Sequence, residues 1–265
     1  MPKNFPSEFV FQVFTLLLAF IFIHGAYVTI IRPNADAFLA LQQQRLAADS
    51  SAVEQRNFYV VIRDYEQESC FILFAWALAI LALKGGMAQR EQNSLSEDIL
   101  QLPEGLPIGP EDSRQLLERI TELPEQQQKY LLPQTLQNAI VRFSATRSIQ
   151  AAATAVREMC ESRGDRLESE LSIIRYIAWA IPSVGFIGTV RGIGAALAQA
   201  HQAVSGDITG VTRSLGVAFN STFIALVISI ILMFFIHQVQ LMQERLTLDT
   251  ESYCQRYLIN KLRVK

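Results

Sequence analysis

Along the chain, apolar residues gather into four long runs separated by polar segments. The first occupies residues 9–31, FVFQVFTLLLAFIFIHGAYVTII. A secretory signal has an apolar stretch of about 7–15 residues followed by a small-residue cleavage site. This run is longer and lacks such a site, so it predicts a retained transmembrane helix. The second run, residues 69–83, covers roughly 22 Å of a hydrocarbon core roughly 30 Å thick, at 1.5 Å per residue. It crosses only if residues 65–68 extend the helix; otherwise it is a buried helix of a water-soluble unit. Residues 171–200 and 214–239 are each long enough to span with some tilt. The pattern predicts an all-α integral membrane protein with four transmembrane helices and long helices extending into the cytoplasm.

Basic residues set the orientation of such a bundle. Residues 32–68 carry four arginines and residues 201–213 carry one, whereas 84–170 carry ten Lys or Arg and 240–265 carry five. The richer segments share one side, which is then cytoplasmic. The expected order is a cytoplasmic N-terminus (1–8), a first span (9–31), a periplasmic segment (32–68), and a second span (66–83). A cytoplasmic helical domain (84–170), a third span (171–200), a periplasmic loop (201–213), a fourth span (214–239) and a cytoplasmic C-terminal helix (240–265) follow. Residues 92–110, with Pro103, Pro107 and Pro110, read as turn and linker. Residues 111–122 and 133–145 have helical periodicity. From Ser148 to His201 one continuous helix is expected, bent at Pro182, which removes a backbone donor inside the membrane. The tail repeats apolar residues at Leu241, Leu248, Tyr257 and Leu258, and is expected to pack on the helix that starts at Ser148.

Composition supports this picture. Half of the 265 residues are apolar and the mean hydropathy is +0.22, above that of ordinary water-soluble domains. A net charge of −2 argues against nucleic acid as a partner. Cys70, Cys160 and Cys254 are widely spaced and frame neither a disulfide scaffold nor a zinc site. No nucleophile–base set, phosphate loop or metal spacing is visible, so neither an enzyme nor a bound cofactor is expected.

The third span is rich in small residues. Gly188, Gly192, Ala196 and Ala200 recur every fourth position, with Gly185 and Gly194 nearby. Such a stripe lets another helix approach closely. The fourth span offers a matching line of Ala218, Thr222, Ala225 and Ser229. Thr189 and Thr222 lie about three residues to the outer side of the midpoints of their spans, which run in opposite directions. The two hydroxyls therefore share a depth to within one turn. Either they form a shared polar site, or each bonds back to a carbonyl one turn earlier. No Asp or Glu occurs in residues 171–206 or 208–243, nor in the first two apolar runs. A proton relay needs an ionisable group, and His24 in the first run is a lone candidate. If ions move, a partner must bring the carboxylate. Arg191 stands alone as a base deep in a span. It either snorkels to the headgroups or pairs with Asp207 or with an acid on a partner.

The stretch 175–194, RYIAWAIPSVGFIGTVRGIG, followed by 215–226, LGVAFNSTFIAL, resembles the MotA/TolQ/ExbB proton-channel family. The Gly-x-x-Gly-Thr-Val-x-Gly core and the later polar-Thr-x-x-x-Leu carry the likeness, which covers about residues 148–239. Four spans with a cytoplasmic insert between the second and third are similar to the flagellar-stator branch. The resemblance implies a homopentamer in a bacterial inner membrane whose third and fourth spans surround two copies of a single-span partner similar to MotB, TolR or ExbD. That partner supplies a membrane aspartate. It also implies that Thr189 and Thr222 are pore-facing and that proton or sodium flow drives rotation. The acid that often precedes the fourth-span threonine is absent, with Phe219 and Asn220 in its neighbourhood. The wording around 179–194 is similar to the channel subunit of phage-defence motors too, so the powered process stays open. The alternative is a membrane scaffold whose glycine stripes only pack helices.

Overall fold

The computed structural model describes residues 7–48, 57–96, 99–100 and 107–264. Lys3, Arg56, Pro103 and Lys265, which enter the charge and linker readings above, lie outside them. Ten α-helices occur among the described residues, and no strand does: α1 (Ser7–Ala26), α2 (Arg32–Ala48), α3 (Phe58–Val61), α4 (Tyr65–Ser94), α5 (Ser113–Thr121), α6 (Leu131–Thr146), α7 (Ile149–Glu170), α8 (Ser172–Ala198), α9 (Ala200–Val204) and α10 (Thr209–Tyr257). Four helical stretches are long and apolar enough to cross a membrane: Phe9–Arg45, Tyr65–Ser94, Ile149–Ala198 and Thr209–Lys261. The chain is an all-α, multi-pass membrane protein.

Several boundaries differ from expectation. The first span does not stop at Ile31 but passes through a π-helical turn, Tyr27–Ile31, into α2. Pro33 follows that turn; its missing N–H and its ring disturb the α ladder one turn back, where a π turn is a usual accommodation. Asn34 Nδ2 donates to the Ile30 carbonyl at 2.7 Å. The second span is a full-length helix: α4 runs for 30 residues, about 45 Å, and begins at Tyr65. The single helix expected from Ser148 to His201 is interrupted at Leu171 and again at Gln199. At Leu171 the amide turns to the Glu168 carbonyl three residues back, which tightens the ladder locally.

The chain divides into two compact units, Met1–Leu81 with Ile173–Ile236, and Ala82–Ser172 with His237–Lys265. In the first, large apolar side chains point outward. Phe22, Trp179, Phe186, Ile230 and Phe234 are all exposed, Trp179 at 73%. Its buried positions are mostly small or aliphatic, including Ala77, Ala178, Gly185, Gly188, Gly192, Ala218 and Ala225. Helices that are apolar all round and satisfy their own backbone groups suit lipid, where no water is available to do so.

The second unit has a core like that of a water-soluble domain. Leu116, Ile120, Leu132, Leu136, Ile140, Phe143, Val156, Cys160, Cys254 and Leu258 form one buried cluster. Helices α6 and α7 make a hairpin closed by Arg147, whose φ of 52° is left-handed, and by Ser148, whose hydroxyl accepts from the Ala151 amide at 3.2 Å. The tail does pack beside α7, but on a different line. Leu246, Thr250, Cys254 and Leu258 are buried, whereas Leu248 is largely exposed. Buried Glu91 accepts from Arg163 at 3.0 Å and from the Leu131 amide at 3.1 Å. Burial pushes the Cys160 thiol up to about 11.

Candidate functional site

The seam between α8 and α10 holds the residues of interest. The small stripe on α8 that is buried comprises Gly185, Gly188, Gly192 and Ala196. Ala200, included in the expected stripe, is exposed and sits beyond the end of α8. Opposite lie Ser214, Ala218, Ser221 and Ala225 of α10. A Cβ placed on Gly192 would come within 2.7 Å of the Ala218 Cβ and 2.8 Å of the Ser214 carbonyl oxygen. One on Gly185 would collide with the Ala225 side chain, and one on Gly188 with Ser221. Glycine is required here for contact rather than for conformation, the use expected of small residues between membrane helices.

Pro182 lies inside α8 and has no N–H to donate to the Ala178 carbonyl. That carbonyl is satisfied from the other helix: Ser229 Oγ donates to it at 3.0 Å. The sequence places Ser229 in the small line of the fourth span, and its hydroxyl has this specific task in addition.

Thr189 and Thr222 meet. Their hydroxyls are in direct hydrogen-bond contact with each other. Thr189 Oγ1 also lies 3.1 Å from the Ala218 carbonyl oxygen of α10, and Thr222 Oγ1 lies 3.1 Å from the Gly185 carbonyl oxygen of α8. The contact of Thr189 with its own Gly185 carbonyl, one turn back, is longer at 3.5 Å. The dominant bonds therefore cross the seam instead of folding back within each helix. Each hydroxyl has one proton, so two protons serve two hydroxyl oxygens and two carbonyl oxygens. One hydroxyl donates to the other, which leaves a single proton for the carbonyls. The group is rich in acceptors. Both threonines are half-buried, so a neighbouring surface can reach them.

Ser221, the residue before Thr222 on α10, is not singled out by the sequence. It is buried, and its Oγ has no hydrogen-bond partner among the described residues. It shares the space beside Gly188 with the Cγ of Glu66.

Arg191 finds its acid within the chain. Its Nε lies 2.6 Å from Glu66 Oε1 and its Nη2 donates to Glu66 Oε2 at 2.8 Å, a two-point pairing. Asp207, the expected alternative, instead caps α10, accepting from the Thr209 amide at 3.0 Å. Hydrogen bonds from the Thr209 hydroxyl and amide hold its carboxyl below the usual range. The acid-free reading of the second span holds only from Ser69 onward, because α4 carries Glu66 and Glu68 in its first turn. Glu68 is buried and is held by Arg32 and by His24 Nδ1, the latter at 2.6 Å. His24 is thus one member of a charged cluster and not a lone group. The Arg32 guanidinium also lies 4.4 Å from the centroid of the Tyr65 ring. Among the described residues, no group of three or more His, Cys, Asp or Glu could hold a metal ion.

Residues 124–252 match the family model described as the MotA/TolQ/ExbB proton channel family. Just under half of the chain is thus similar to that family. Neither curated proteins nor solved structures gave a match. The matched segment takes in all of α8 and α10 as far as Ser252, and so includes Thr189, Thr222, Pro182, Ser229 and Arg191. The first two spans lie outside it, and Glu66 and Glu68 with them. The similarity to the MotA/TolQ/ExbB family, a proton-channel family and not an enzyme class, fits the four helices long and apolar enough to cross a membrane.

Proposed function

We propose that the chain is the channel and stator subunit of a motor driven by ion-motive force. Five copies assemble so that α8 and α10 surround a dimer of a single-span partner, and inward proton or sodium flow past Thr189 and Thr222 drives rotation. The setting is a bacterial inner membrane with both termini cytoplasmic, as the distribution of Lys and Arg favours. The observation that carries the reading is the Thr189–Thr222 pair, which bonds across the seam and keeps acceptor capacity unused. Oxygens of this kind can accept a bond from a protonated carboxyl or ligate a small cation. The apolar runs 171–200 and 214–239 contain no acid, so the partner supplies the titrating carboxylate. Arg191, Glu66 and the buried small residues position the seam. They do not carry the ion.

A scaffold reading has one observation in its favour, the close glycine–alanine packing of the same seam. One experiment separates the two. The chain is co-purified with the product of the neighbouring reading frame and placed in liposomes containing a pH- or sodium-sensitive dye. Thr189→Val and Thr222→Val keep the side-chain shape and remove the hydroxyl. Each is expected to abolish flux while the assembly elutes unchanged, and Thr→Ser at either position is expected to retain it. Full flux in both valine variants would overturn the channel reading and leave the scaffold.

A further inference from the structure

Arg191 sits two residues beyond Thr189 on α8, about 3 Å further along the axis, and its side chain is half exposed at 51%. A cation approaching the threonine pair from that end of the seam meets a fixed positive charge. Glu66 answers it. The Glu66 side chain is 12% exposed, accepts from Nε and Nη2 of the guanidinium, and reaches in from α4 beside Gly188. The absence of a side chain at Gly188 leaves room for the Glu66 methylene and the Ser221 hydroxyl together. Asp64 also lies in the field of Arg191, together with Arg63 and Arg213. Burial dominates there and pushes its carboxyl above the usual range, which makes it the poorer counter-charge.

We propose that Glu66 is the counter-charge that keeps the Arg191 end of the α8–α10 seam passable to cations, so that the Glu66–Arg191 pair sets ion access to Thr189 and Thr222. This rests on the channel reading above. Neutralising Glu66 leaves an unscreened guanidinium beside the route. At an effective dielectric of about 20, an unpaired unit positive charge beside the route slows cation passage by about tenfold. Removing both members restores a neutral surface. A pair that merely ties α4 to α8 behaves differently, since removing either partner, or both, loosens the same contact.

The test uses the full chain with its co-purified single-span partner in liposomes, with cation flux read under an imposed diffusion potential. Glu66→Gln is expected to lower flux about tenfold, and Glu66→Gln with Arg191→Gln to return it to near the unmutated rate. Asp64→Asn is expected to change flux less than twofold. Size-exclusion profiles and thermal unfolding are followed in parallel, and they are expected to shift equally in the single and double variants. Unchanged flux in Glu66→Gln, or a double variant as slow as the single, would overturn the proposal while the channel reading stands. An unmutated assembly that passes no ions would overturn both.

Discussion

The two units of this chain bury different things. The unit comprising residues 1–81 and 173–236 turns its large apolar side chains outward and buries glycine, alanine and serine at its tightest seam. The unit comprising residues 82–172 and 237–265 does the reverse, with Leu136, Ile140 and Phe143 inside and charged residues such as Arg142 and Glu158 outside. The solvent accounts for the difference. In water, burying large side chains is the main favourable contribution to folding. In lipid that contribution between helices vanishes, and close backbone approach with a few crossing hydrogen bonds takes its place.

Substitutions should therefore have opposite signatures in the two units. The largest effect is expected from Phe143→Ala, which empties the centre of the second unit and should cost about 3–5 kcal/mol by denaturant unfolding. A loss under 1 kcal/mol would mean that this unit is not held by its core. Next is Gly192→Ala, a single added carbon that would press on Ala218 and on the Ser214 carbonyl. It should cost about 1–3 kcal/mol, measured by unfolding in mixed micelles. Gly194→Ala on the same helix meets nothing within 4 Å and serves as the control; equal losses in the two variants would remove contact as the reason for the glycine. The smallest effect is expected from Gly164→Ala in α7. The added Cβ there also meets open space, so better helix propensity should raise stability by about 0.5–1 kcal/mol.

Much of this architecture is legible in the sequence because lipid imposes long apolar runs and narrow small-residue stripes. The four spans, the stripe at Gly188 and Gly192, and the shared depth of Thr189 and Thr222 follow from length and period alone. The features that escape are those in which a polar atom takes an apolar position. The buried line of the tail includes Thr250 and Cys254, so counting large apolar residues selects Leu248, which is exposed. Ser221 and Ser229 look like spacing residues until the partner helix is in place. The Glu66–Arg191 pair joins positions 125 residues apart, and no local period signals it. An arginine inside an apolar run does, however, call for either an anion or a path to the headgroups.

Pro182 and Ser229 together index the two helices against each other. The Ala178 carbonyl is satisfied only while α10 presents Ser229 to it. A slide of one helical turn in either direction would offer Ala225 or Met233 instead, neither of which has a proton to give. The register between α8 and α10 thus has a detent, a single preferred notch. Any motion that leaves the notch exposes a bare carbonyl to hydrocarbon until the serine returns.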